Sequence, residues 1–109
     1  MPHDFDVRSE TTPRGGGVLH VSGELDLASA PRLEAAMSEL DADPVVIDLS
    51  GCTFLDSAGM RVLLAGARGL SATGRSLRVV ASDPRILRVL EITAVDTLIA
   101  VHPTVEDAL

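Results

Sequence analysis

The run Val45-Val46-Ile47, three apolar residues between Pro44 and Asp48, constrains the fold more than any other stretch. Neighbouring residues on a strand point to opposite faces of a sheet, so a continuously apolar strand needs cover on both. That predicts a central strand in an α/β protein. Asp48-Leu49-Ser50 reads as its acidic end and Gly51-Cys52-Thr53-Phe54-Leu55 as a tight loop. Asp56-Ser57-Ala58-Gly59 then sets a small hydroxyl residue at the mouth of an amphipathic helix. In that helix Met60, Leu63, Leu64 and Ala67 share one face, and Arg61, Ala65 and Arg68 the other.

The flanking sequence supplies the rest of the sheet. Residues 5–8 and 18–22 read as an antiparallel pair joined by a turn rich in Gly and Pro. Ser29 is an N-cap candidate ahead of Pro31, and Leu33, Ala36, Met37 and Leu40 recur at helical spacing until Asp43-Pro44 ends the pattern. After an exit loop within residues 69–74 come a strand over 76–81 and a helix capped by Asp83 with Pro84 at its first position. Ile86, Leu87 and Leu90 form that helix's buried stripe. A short strand over 97–101 and a final helix capped by Thr104 complete the order β-β-α-β-α-β-α-β-α. This predicts a single α/β domain over residues 1–109, with a mixed, mostly parallel sheet of about four or five strands and about four helices.

Several chemistries fall away on composition. The net charge is −7 and all nine basic residues are arginine. An acidic chain without an aromatic-and-basic cluster offers phosphate backbones no positive patch, so no direct nucleic-acid partner is expected. Without lysine there is no P-loop, no Schiff base and no receiver-type phosphoaspartate site at Asp48 or Asp56. Cys52 has no second cysteine, His3, His20 and His102 lack metal-ligand spacing, and Gly15-Gly16-Gly17 precedes a strand where a dinucleotide loop must follow one. Leu55-Asp56-Ser57-Ala58-Gly59 lacks the first glycine of a nucleophile elbow, and no histidine is placed to serve as its base. The expectation is a non-enzyme with no catalytic residue, metal or cofactor. No apolar run reaches the roughly 20 residues of a membrane span, and the acidic start of the chain does not read as a signal peptide, which predicts a cytoplasmic protein.

Ser57 keeps two compatible readings. Its hydroxyl, or the Asp56 carboxylate, caps the helix. Alternatively Ser57 accepts a phosphoryl group, which the helix dipole and free first-turn N–H groups would stabilise.

On these residues the chain resembles the STAS-domain family, and within it the bacterial anti-sigma factor antagonists. Gly23-Glu24-Leu25-Asp26 is similar to the family's Gly-Glu-Leu-Asp signature. Ile47-Asp48-Leu49-Ser50 with Phe54-Leu55-Asp56-Ser57-Ala58-Gly59-Met60 resembles its central motif. The resemblance implies a module that binds an anti-sigma factor serine kinase when unphosphorylated, releases a sigma factor, and is switched off by phosphorylation at Ser57 and restored by a serine phosphatase. It implies a partner surface of Asp26, Asp56, Ser57, Ala58, Gly59, Met60 and Arg61, and leaves open pairing into a homodimer. The alternative within the family is an unphosphorylated adaptor subunit of a membrane lipid or anion transport assembly. Two departures from the family pattern stand out. Ala58 replaces a second hydroxyl residue, and Ala94-Val95 replaces Gly-Leu after the third helix, which leaves that helix without a glycine C-cap.

Overall fold

The computed structural model describes residues 5–109, so His3 lies outside the described residues. The elements are β1 (Asp6–Thr11), β2 (Gly17–Leu25), α1 (Ala30–Glu39), β3 (Val45–Leu55), α2 (Ser57–Ala72), β4 (Leu77–Val80), α3 (Pro84–Ile92), a 3-10 turn (Val95–Thr97), β5 (Ala100–His102) and α4 (Val105–Ala108). They follow the predicted order. The sheet runs β1-β2-β3-β4-β5, with β1 antiparallel to β2 and the other pairs parallel.

The apolar run at Val45 sits where two cores meet. Leu19, Val45, Ile47, Leu49 and Val79 face the main core with Leu33 and Met37 of α1, Met60 and Leu63 of α2, and Ile86 and Leu90 of α3. On the opposite face, the register partners Val18 and Val46 join Val80 and Ala108 in a small second cluster, with Val105 of α4 packed against it. Arg78 fastens that helix by donating to the carbonyl of Ala108 at 2.6 Å. A one-turn helix covers little of a sheet, and on the β2 and β3 side the next row turns polar, with His20 beside Asp48 and Val80 in register with Asp48.

Tertiary pairing redraws several boundaries. The expected loop over 51–55 is strand, because β2 also runs on to Leu25 and pairs with it. The pairing survives two register shifts, between His20 and Ser22 and between Gly23 and Glu24, each opposing an extra residue of β3. Such bulges bend a strand and re-aim its side chains. After the second shift Leu55 points inward beside Leu25, while Phe54 is left exposed. Helix α2 continues through Gly69 to Ala72, and β5 starts three residues later than expected because residues 95–97 wind into the 3-10 turn. After α3, Ala94 takes the left-handed conformation at φ 59°, so a turn that ordinarily favours glycine forms here on alanine.

Candidate functional site at the carboxyl edge of the sheet

Strands β2 and β3 end side by side, with Leu25 opposite Leu55, and the chain leaves both strands toward helices. Outside the carboxyl ends of parallel strands is where α/β sheets present their binding surfaces. The two exits are tied together, since the Asp56 N–H donates to the Leu25 carbonyl at 3.2 Å.

The cap of α2 is Asp56. Its backbone is extended, and its Oδ1 accepts the N–H groups of Ala58 at 2.9 Å and Gly59 at 3.1 Å. The Met60 N–H bonds the Asp56 carbonyl at 3.0 Å. Ser57 is therefore the first residue of the helix, exposed, its hydroxyl without a hydrogen-bond partner among the described residues. This corrects the expectation of free first-turn N–H groups. A phosphate on Ser57 would gain the helix dipole but would find the amides of Ala58 and Gly59 already filled.

Gly59 sets how closely α2 approaches the strands. A Cβ there would stand 2.7 Å from Leu55 Cδ1, 2.8 Å from Leu25 Cγ and 2.9 Å from the Leu25 carbonyl oxygen. Only glycine fits without displacement.

The β2–α1 loop is ordered by Asp26. Its Oδ1 accepts the N–H groups of Ala28 and Ser29, both at 3.0 Å. Ser29 holds the N-cap position of α1, but its hydroxyl does not cap the helix. It turns inward, accepting the Asp26 N–H at 2.9 Å and donating to the Glu24 carbonyl at 2.7 Å.

These contacts sort the expected partner-surface residues. Ser57 and Arg61 are exposed, Asp26 and Asp56 half-buried with carboxylates engaged in backbone bonds, and Ala58, Gly59 and Met60 buried. The buried three hold α2 in place rather than offering side chains to a partner. Two exposed residues at the same edge escaped the sequence reading: Leu27 at 75% and Phe54 at 49% exposure. Their signal was an apolar side chain at positions read as loop.

A second polar cluster lies across the sheet. His20 Nδ1 and Nε2 each stand 2.8 Å from a carboxylate, Asp48 Oδ2 and Glu10 Oε1. Both ring nitrogens can donate to carboxylates only as imidazolium. Burial lowers the His20 pKa, but the bonds to Glu10 and Asp48 outweigh it and hold the pKa above the ordinary 6.5. Burial raises the Asp48 pKa, but the Ser50 hydroxyl and N–H and the His20 ring outweigh it and hold the carboxyl below its usual range. Cys52 is buried, its thiol donating to the Phe54 carbonyl at 3.1 Å and pushed up in pKa by burial, which suits an inert thiol. Among the described residues no group of three or more His, Cys, Asp or Glu is arranged to hold a metal ion, and no helix is long and apolar enough to cross a membrane.

With this geometry in view, comparison with known proteins decides the family. The family model described as "Mlab, STAS domain" matches residues 9–100. The anti-sigma-F factor antagonist RsfB of Mycobacterium tuberculosis is 36% identical over 100 residues, covering 87% of this chain and 80% of RsfB. The chain belongs to the STAS-domain family, among its anti-sigma factor antagonists. The solved anti-sigma factor antagonist from Mycobacterium paratuberculosis superposes on this STAS domain with a TM-score of 0.90 at 33% identity, covering 99% of this chain and 93% of the other. The unphosphorylated form of the anti-sigma factor antagonist SpoIIAA shares the fold, with a TM-score of 0.77 at 20% identity, covering 94% and 92% of the two chains. The edge carrying Asp56 and Ser57 lies within the residues that the STAS family model matches.

Proposed function

We propose that this STAS domain binds an anti-sigma factor that is also a serine kinase, and that phosphorylation of Ser57 ends the binding. The observation that carries the reading is the state of Ser57. It is an exposed, unbonded hydroxyl on a backbone locked from both sides, by the Asp56 cap and by the close seat of Gly59. A kinase needs such a side chain in a fixed place, and Ala58 leaves it the only hydroxyl at the junction. The kinase transfers the γ-phosphoryl of ATP to Ser57 Oγ, which gives up its proton, and ADP leaves. The dianion then stands beside the Asp56 carboxylate with the nearest amides occupied, so it stays in water and opposes any surface that would exclude water. A serine phosphatase reverses the step.

The test is to incubate the chain with its cognate kinase and ATP and to locate phosphate by mass spectrometry. Modification at Ser57 alone supports the reading, and phosphate elsewhere or nowhere sinks it. Ser57→Ala is expected to bind the kinase constitutively and Ser57→Asp weakly. Equal affinities would remove charge as the switch. The rival reading is an unphosphorylated adaptor subunit of a membrane lipid or anion transport assembly. Co-purification with a transporter ATPase, and with no kinase, would select it.

A further inference from the structure

We infer that Leu27 and Phe54 are the apolar anchors by which this domain docks on the kinase that reads Ser57, and that Asp26 serves the contact by positioning Leu27 rather than through its charge. The inference rests on the proposed function and specifies the surface it uses.

The chain has two phenylalanines. Phe5 is buried, with the Arg32 guanidinium 5.1 Å from its ring centroid. Phe54 is 49% exposed, although an isolated aromatic ring gains more from burial than most side chains. Leu27 is 75% exposed on a loop that is not loose, since it is pinned by the two backbone bonds to Asp26 Oδ1. A leucine held out on a fixed turn loses less conformational freedom on binding than one on a mobile turn. Aromatic residues are also enriched among the few that dominate interface energies.

Their location names the occupant. Leu27 lies two residues past Leu25, which pairs with Leu55, and Ser57 lies two residues past Leu55. Chain reach and strand spacing keep Leu27 within about 19 Å of Ser57, and Phe54 within about 11 Å. A standard protein interface covers about 800 Å² per partner, a patch roughly 32 Å across. Such a patch is wide enough to hold Ser57, Phe54 and Leu27 together, so one kinase surface seated over this edge meets both apolar residues. An apolar seat also gives phosphorylation its effect. A dianion at Ser57 would have to shed water against that seat, and the amides of Ala58 and Gly59, held by Asp56, cannot replace the lost hydration. Desolvation, more than repulsion between like charges, then breaks the complex.

The experiment measures binding of the full chain to the purified cognate kinase loaded with ADP, by calorimetry, together with phosphorylation kinetics under ATP. Leu27→Ala and Phe54→Ala are each expected to weaken Kd about tenfold or more, and to raise KM for phosphorylation while kcat holds, with the thermal midpoint unchanged. Asp26→Asn keeps the Oδ1 acceptor and is expected to bind like wild type, whereas Asp26→Ala weakens binding as Leu27→Ala does. Wild-type affinity is expected to change little between low and high salt. Alanine variants within twofold of wild type, a steep salt dependence, or equal losses for Asp26→Asn and Asp26→Ala would overturn the inference. Wild type that binds the kinase but is not phosphorylated at Ser57 removes the switch, and weakened binding by Leu27→Ala and Phe54→Ala in that case still supports the anchors. Wild type that does not bind the kinase at all overturns both.

Discussion

Gly59 and Gly69 lie on the same helix, and replacing each by alanine is expected to change stability in opposite directions. Helix propensity alone favours both changes, since alanine is better than glycine in a helix interior by up to about 1 kcal/mol. At Gly69 nothing stands within 4 Å of the new Cβ and the position is exposed, so propensity acts unopposed. Gly69→Ala should stabilise by about 0.5–1 kcal/mol. At Gly59 the Cβ meets three atoms at 2.7–2.9 Å. Two belong to the buried side chains of Leu25 and Leu55, and the third is the Leu25 carbonyl oxygen, fixed by the Asp56 N–H. Overpacking of this kind costs about 1–3 kcal/mol, more than the propensity gain, so Gly59→Ala should destabilise by about 1–2 kcal/mol. The two variants should then differ by about 1.5–3 kcal/mol, which for a domain of this size is a separation of at least about 6 °C in thermal midpoint. Urea and thermal unfolding followed by far-ultraviolet circular dichroism measure both. Gly59→Ala should also slow phosphorylation, because α2 must shift and carry Ser57 with it. If both variants are stabilising, or the two agree within about 0.5 kcal/mol, the close seat of α2 is not what fixes the site.

Removing the cap with Asp56→Ala should cost about 1 kcal/mol and speed amide exchange at Ala58 and Gly59, as followed by NMR; unchanged exchange would mean that these amides are held otherwise. At Ala94 the left-handed φ strains any residue with a Cβ, so Ala94→Gly should stabilise by about 1 kcal/mol in urea unfolding, against the usual direction for glycine. The His20 cluster should make stability pH-dependent. The His20 pKa is raised on folding, so its contribution is fully present below the unfolded value near 6.5 and is lost as pH rises through the folded value. The Asp48 pKa is depressed, so its contribution is present above the unfolded value near 3.8 and is lost as pH falls through the folded one. Wild type should therefore lose stability relative to His20→Gln as pH rises from 6 to 9 in urea titrations, and parallel curves would refute the imidazolium bridge.

How far the sequence alone went is clearest at particular residues. Val45-Val46-Ile47 determined a central strand, because consecutive apolar side chains must be buried on two faces whatever the neighbours are. Pro31, Pro84 and Thr104 marked helix starts through local backbone chemistry, and the element order follows from that punctuation. Ser57 was legible as a residue at a helix mouth, and the motifs around it were enough to suggest the family. Which group caps the helix was not legible. Asp56 and Ser57 are adjacent, both carry acceptor oxygens, and only the extended backbone at Asp56 decides that its oxygen reaches Ala58 and Gly59. The strand over 51–55 was hidden for a related reason. Its glycine and alternating exposure look like loop until β2 lies beside it, and the two bulges that keep the pair in register are properties of the pair and of neither strand alone. The bridging of His20 between Glu10 and Asp48 joins residues on separate strands, and the exposure of Leu27 and Phe54 depends on where the other segments pack. Local propensity describes one segment at a time, and these features exist only once two segments meet.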